Sequence, residues 1–536
     1  MTHGMVCAAQ PEAVEAGAEV LARGGNAVDA AIATAFVQTA VDPQMCGIAG
    51  FGSLQVYDPG RRRHACLDFY GRAPSAVRPD MWQHLLIGEA EDGFGFLLEG
   101  RVNEIGYGAI TTPMTLSGLA EALRTYGSGK VSLGDLIEPA ARYAEGGFHV
   151  RPHVHAYWTQ VPTEGRAPHT EFLTRLPATR RIYQKPDGRL HGIGDLLRNP
   201  DMGRTLRRVQ SAGVADFYTG EIAARIVADM KANGGLITAA DLAAAKPETT
   251  EPLTGSYRGL SITTNRPPGG GVMLVEMLNI LESFDLKAMG HNSADYIATV
   301  AEAMKIATVD KDQKIGDPRF VSVPMDELTS KAYAAEKAAL IRSGIKTHVP
   351  RLKSKESADT THVTVVDENG VCASMTHTLG TPSGVVTEGL GFMYNGAMAV
   401  FDPRPGRAGS LAPGKSRFSS MAPSIIFKDG KPMLVLGAPG GTYITMGILQ
   451  VILNVVEFGM SALEAVSAPR FCATSDTIQL TNRILRSTEA KLAGRGYPVR
   501  RWPVNYHFAG VHAIRIVDGK LDGGADPGRD GMALAV

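Results

Sequence analysis

Cysteine is scarce: Cys7, Cys46, Cys66, Cys372 and Cys472 are five in 536 residues, an odd number with no Cys-x-x-Cys pair. That excludes a disulfide framework and a zinc ribbon, and it predicts a reduced, cytoplasmic chain. Excess charge of either sign is also lacking. Lys plus Arg number 54 and Asp plus Glu number 54, so the attraction that drives nonspecific nucleic-acid binding is missing and no nucleic-acid partner is predicted. No apolar run reaches the roughly 18 residues of a membrane span. The most apolar late stretch, residues 447–460, is interrupted by Gln450, Asn454 and Glu457. The N-terminus has neither the basic start nor the apolar segment of a secretion signal, so no membrane partner is expected. Missing too are GxSxG, GxxxxGK[ST], HExxH and any spaced Cys/His cluster, which removes common hydrolase, kinase and metalloenzyme designs and predicts no metal or organic cofactor.

Glycine is abundant, 61 of 536 residues against roughly 7% in an average protein. With 44% hydrophobic residues the chain reads as a folded protein whose glycines sit at turns and close backbone approaches. Residues 11–40 pattern as two Ala-rich helices around Gly24, Gly25 and Asn26. Residues 42–58 change to a Gly-rich turn followed by an alternating stretch, and CLDFYGRAP predicts a second short strand ending before Pro74. Residues 150–200 have poor periodicity and many turn residues, and predict a long surface excursion. Within it, His153 and His155 flank Val154 as on a strand and, lacking carboxylate neighbours, predict surface residues. The run Pro267-Pro268-Gly269-Gly270-Gly271 lacks the lysine and hydroxyl of a phosphate loop and predicts a turn into a helix over 272–282.

Near residue 350 the texture changes, and the polar, turn-rich LKSKESAD gives way to TTHVTVVDENGVCASMTHTL. Two β-branched runs flank Asn369-Gly370, a strong hairpin signal. A two-residue loop there pairs positions summing to 739, with Thr361 facing Thr378 and Thr360 facing Leu379. Threonine favours strands, so one Thr-Thr-His carries little by itself. A threonine becomes a nucleophile when its own α-amino group is free as general base, with a pKa of about 7.7–8.0. That requires a cut immediately before it.

The same segment resembles the processing site of the γ-glutamyltranspeptidase family of N-terminal-nucleophile hydrolases. GGNAVDAAIA, LDFYGRAP, IEPAARYAEGGF, FYTGEIAARIV, FSSMAPSIIFKDGK and GAPGGTYI resemble family blocks in the same order along nearly the whole chain. The resemblance implies an α+β fold, a four-layer αββα sandwich, made as one precursor that cleaves itself between Asp359 and Thr360. The products are a large segment, 1–359, and a small one, 360–536, intertwined as partners; a homo-oligomer of such pairs is compatible with it. Carried onto this sequence, Thr360 is the nucleophile, Thr378 bonds it, the Gly440 and Gly441 N–H groups form the oxyanion hole, and Ser419 and Ser420 bind a substrate carboxylate.

The pocket residues depart from the family pattern. The family holds an α-amino acid with an arginine for the carboxylate and Asn, Gln and Asp for the ammonium. Those positions fall here on Tyr70, Gly380, Ala397 and Val400. A buried ammonium without acceptors carries a desolvation cost. Arg72, two residues past Tyr70, faces the same way in an extended segment and is the expected replacement beside Ser419 and Ser420. Together these features predict a self-cleaving threonine amidohydrolase for a small carboxylate-bearing amide, oxamate-like, through an acyl-Thr360 intermediate. The alternatives are a γ-glutamyltransferase or glutathione hydrolase, a glutaryl (cephalosporin) acylase and, remotely, an unprocessed non-catalytic member.

Overall fold

A computed structural model describes residues 3–89, 95–160, 166–350, 360–504 and 507–536. Thirteen strands build two sheets: β1 (Gly4–Ala9), β2 (Phe51–Asp58), β3 (Arg63–Phe69), β4 (Glu248–Thr250), β5 (Leu253–Tyr257), β6 (Leu260–Thr264), β7 (Thr361–Asp367), β8 (Cys372–Thr378), β9 (Ser424–Lys428), β10 (Lys431–Gly437), β11 (His512–Val517), β12 (Lys520–Ala525) and β13 (Gly531–Ala535). The first sheet runs β13-β1-β7-β8-β2-β3-β4 and the second β12-β11-β10-β9-β6-β5, antiparallel throughout. Their inner faces meet at one end through Met5, Cys7, Val366 and Cys372 against Ile425, Phe427, Val435 and Ile514. Burying each of the Met, Val, Ile and Phe side chains is worth about 1.5–3 kcal/mol.

Helices cover both outer faces, completing the four-layer α+β sandwich. Pro11–Ala22 and Ala27–Val41 lie on the first sheet, Gly271–Leu281 and Ile444–Val456 on the second. Asn26 separates the first pair: its Oδ1 accepts from the Val28 and Asp29 N–H groups, and Asp29 Oδ2 accepts from the Asn26 N–H. This reciprocal cap starts a helix whose alanines let it press onto β7 and β8. Among the described residues no helix is long and apolar enough to cross a membrane. All five cysteines are buried.

Three hairpins turn on Arg258-Gly259, Asp429-Gly430 and Asp518-Gly519, each pair with both φ values between +50° and +78°, as two-residue loops between right-twisted strands require. The β7–β8 hairpin differs. Val366 pairs with Cys372 and Thr361 with His377, so paired positions sum to 738, one less than a two-residue Asn369-Gly370 loop demands. Asp367 Oδ1 accepts from the N–H groups of Asn369 and Val371, Gly370 N–H donates to Asp367 O, and only Gly370 takes a positive φ, +76°. The result is a three-residue loop, and the slip sets Thr378, not Leu379, opposite Thr360.

The 150–200 region corrects a second expectation. It contains helices Pro152–Trp158, His169–Thr174 and Pro177–Tyr183, and Trp158, Leu173 and Tyr183 are buried in the main core. His153 sits on a helix, only 4% exposed, hydrogen-bonded with Gln10 Nε2 (3.4 Å) and Arg529 Nη1 (3.3 Å). Its chemistry is that of a core residue; His155 is partly exposed.

Candidate active site

Thr360 precedes β7, and its side chain lies 5% exposed between the sheets. Its Oγ1 donates to Thr378 Oγ1 at 3.0 Å, and Thr378 Oγ1 also accepts from the Gly380 N–H at 2.8 Å. The backbone of Thr360 has φ +102°, a conformation a β-branched residue takes only at a cost of about 1–3 kcal/mol. Asp359, the other half of the expected scissile bond, lies outside the described residues.

Two polar networks hold this hairpin end. On the helix side, Gln38 Nε2 donates to Thr361 Oγ1 (3.0 Å) and Gln38 Oε1 is hydrogen-bonded with His377 Nε2 (2.9 Å). On the inner face, His362 is hydrogen-bonded through Nδ1 with Thr376 Oγ1 (2.8 Å) and through Nε2 with Thr364 Oγ1 (2.9 Å). Burial lowers the pKa of both imidazoles, that of His377 to about 3, so both are neutral scaffolding at pH 7. Gln38, His362 and His377 were invisible to motif reasoning; the alternation of His and Thr in THVT and MTHT was the available signal.

The second sheet supplies the opposite wall. The His362 ring rests on Gly437, the last residue of β10, which the turn Ala438-Pro439-Gly440-Gly441 follows directly. Pro439 O accepts from Gly510 N–H (3.2 Å), fixing the turn. Gly440 and Gly441 have φ of +137° and +55°. Among the described residues no acceptor is recorded for either N–H, so the turn presents two donors of the kind an oxyanion needs.

Ser419 and Ser420 are buried in an extended segment locked to the Pro267–Gly271 turn: Ser419 N–H donates to Pro268 O (2.8 Å) and Gly270 N–H to Met421 O (2.8 Å). A Cβ on Gly270 would lie 2.6 Å from Ser420 O, which is why glycine stands there. The turn does lead into helix Gly271–Leu281, and it also props the serine pair.

Tyr70 and Arg72 behave differently from expectation. The Tyr70 hydroxyl accepts from Asn265 Nδ2 (2.8 Å). Nearby Asp68, bonded by Ser53 Oγ (2.7 Å), has its pKa pushed up to about 6 by burial. Arg72 Nη2 donates to Glu248 Oε1 (2.6 Å) and Lys246 O (3.1 Å). Tyr70, Arg72, Glu248, Asp317, Arg319 and Ser416 line a cavity of about 380 Å³ whose lining includes neither Thr360 nor Ser419 nor Ser420. Arg72 pairs antiparallel with Ser416, so its side chain leaves the strand on the Ser416 side and meets Glu248, not the serine pair. Ala397 and Val400 lie in a short 3-10 turn and offer no side-chain acceptor.

The gamma-glutamyltranspeptidase family model matches residues 13–536. The chain belongs to that family. Proteins similar to it include acylases and glutathione hydrolases. The Acylase ACY 1 proenzyme of Pseudomonas sp. (strain V22) is 38% identical over 542 residues, covering 100% of this chain and 94% of the relative. The Glutathione hydrolase proenzyme of Escherichia coli (strain K12) is 33% identical, covering 98% and 90%. The crystal structure of cephalosporin acylase from Bacillus halodurans superposes with a TM-score of 0.87 at 28% identity, covering 99% of this chain and 96% of that one. This family member is accordingly an amide hydrolase by relationship.

Proposed function

We propose that the chain cuts itself before Thr360 and then hydrolyses small amides whose acyl group carries a carboxylate and no α-ammonium. The 3.0 Å contact between the Thr360 and Thr378 hydroxyls carries the reading. In the first reaction Thr360 Oγ bonds to the Asp359 carbonyl carbon, the C–N bond breaks, and the proton passes to the Thr360 nitrogen. Water then hydrolyses the ester, leaving a carboxylate on residues 1–359 and a free amine on residues 360–536. Because φ is defined by the preceding carbonyl, the cut also abolishes the strained φ of Thr360.

In turnover the freed amine takes the hydroxyl proton, Oγ attacks the substrate carbonyl, and the Gly440 and Gly441 N–H groups receive the oxyanion. The amine product leaves with a proton, and water resolves the acyl-Thr360 ester with the same base. Acyl choice follows from what the pocket lacks: Gly380, Ala397 and Val400 offer no side-chain acceptor for an ammonium. Kinship with acylases supports a dicarboxylic monoamide, and oxamate is the shortest such monoamide. Kinship with glutathione hydrolases supports γ-glutamyl transfer or hydrolysis as a second reading.

Denaturing mass spectrometry of wild type and Thr360→Ala, followed by a panel of oxamate, glutaryl and γ-glutamyl amides, tests this. Wild type should give two fragments and turn over a carboxylate-bearing amide, while the variant stays whole and inert. A cut Thr360→Ala chain would sink the nucleophile assignment, and preference for the γ-glutamyl amide would select the second reading.

A further inference from the structure

Arg417 has no role in the preceding account, and it occupies an informative position. It is 6% exposed. Its neighbour Ser416 pairs antiparallel with Arg72, so in this extended segment the side chains of Ser416 and Arg417 leave on opposite sides. Ser416 and Arg72 face the 380 Å³ cavity, whereas Arg417 faces Phe51, with its guanidinium carbon 5.2 Å from the ring centroid. Phe51 pairs with Thr378 across β2 and β8. A cation over that ring is therefore at the Thr378 end of the site.

Gly380 sharpens the placement. Its N–H donates to Thr378 Oγ1, the atom bonded to Thr360 Oγ1. A Cβ built on Gly380 would lie 3.4 Å from Arg417 Nη2 and 3.4 Å from Phe51 Cζ. The Cβ position at residue 380 is thus in contact with a guanidinium nitrogen and with the Phe51 ring, on the residue whose N–H bonds the Thr378 hydroxyl. Ser419 lies two residues on from Arg417 and is also buried; in an extended segment positions i and i+2 leave on the same side, which lets guanidinium and hydroxyl address one anion together. Arg417 Nη1 also donates to Phe418 O (2.9 Å), and with the guanidinium over the Phe51 ring the side chain is held in place, so less rotamer entropy remains to be lost on binding.

We infer that Arg417, not Arg72, is the counter-ion for the acyl group's distal carboxylate, and that it selects dicarboxylic monoamides over neutral acyl amides. The inference rests on the amidohydrolase reading above. It also favours one length. An oxamate carboxylate is bonded to the reacting carbonyl carbon itself, whereas Arg417 is separated from Thr360 by the Thr378 hydroxyl and the Gly380 backbone. A glutaryl-type chain spans such a gap.

The test compares glutaryl-p-nitroanilide with pentanoyl-p-nitroanilide, equal in length and lacking the charge. Wild type should prefer the glutaryl amide. Arg417→Gln should lose about 10- to 100-fold of that kcat/KM ratio, mostly through KM, while still cutting itself at 359/360. A cut Arg417→Gln enzyme with the wild-type ratio overturns the assignment, as does loss of the ratio in Arg72→Gln alone. A cut wild-type enzyme that hydrolyses neither amide overturns the substrate reading and this inference with it. Should Arg417→Gln stay uncut, competition in the wild-type enzyme decides. Glutarate inhibiting at least about tenfold better than pentanoate supports a cationic acyl site, and equal inhibition refutes it.

Discussion

Gly437 and His362 touch across the two sheets so closely that a Cβ on the glycine would lie 2.1 Å from the imidazole Cε1. The ring cannot turn aside, because Thr376 and Thr364 hold its two nitrogens. Gly437→Ala should therefore separate β10 from β7 at the end where Thr360 and the Gly440 turn must meet. The expected outcome is a loss of at least about 1–3 kcal/mol of stability together with slow self-cleavage. His362→Ala should relieve the clash, so the double variant should be less unstable than the two single losses added, which urea denaturation of the series measures.

Thr378→Val keeps the shape of a β-branched strand residue and removes the acceptor shared by Thr360 Oγ1 and Gly380 N–H. Both hydroxyl attacks, on the 359/360 bond and on substrate, should slow by about 10- to 100-fold, the worth of one well-placed hydrogen bond to the nucleophile. Thr378→Ser should retain most of both rates. Gel time courses of cleavage and kcat measurements check the pair; equal rates in Thr378→Val and wild type would remove Thr378 from the site.

Much of this site could be reached from sequence because its demands are local. Asp429-Gly430 and Asp518-Gly519 mark their hairpins since both residues need positive φ. Asn369-Gly370 misleads because the Asp367 carboxylate captures the Asn369 and Val371 N–H groups and stretches the loop by one residue. What stayed hidden depends on distant partners. His153 is buried by Gln10 and Arg529, 143 and 376 residues away. The 150–200 helices are too short to show a period, although Pro152 and Pro177 stand at two of their starts. Arg417 looks like any basic residue until Phe51 and the missing Gly380 side chain are brought beside it, and Arg72 looked right only while Glu248 was out of view.

Gly440 has φ +137°, and a Cβ there would sit 2.6 Å from the Ala509 Cα. Gly440→Ala is consequently opposed by both conformation and space, and relief must come from moving the turn that presents the two N–H groups. Activity should fall by about 10²- to 10³-fold, the usual cost of losing an oxyanion donor, with kcat affected more than KM. A variant that lost only KM would show that the turn binds substrate without stabilising the transition state.

His377 supplies a pH prediction whose sign can be worked out. Burial lowers its pKa to about 3 from the usual 6.5, and its Nε2 is hydrogen-bonded with Gln38. Between those values the unfolded chain binds a proton at this residue and the folded chain does not, so the histidine's contribution is fully present above pH 6.5 and declines as pH falls toward 3. The decline approaches about 1.4 kcal/mol per pH unit below the unfolded pKa. Other buried groups titrate in the same range, including Asp68, raised to about 6, and His512, lowered to about 4, so the absolute stability curve does not isolate this residue. The difference between two chains does. In an uncut Thr360→Ala background, the stability advantage over His377→Gln should shrink by at least about 1 kcal/mol between pH 7 and pH 5. An advantage constant with pH would mean that His377 stays accessible to protons in the folded chain.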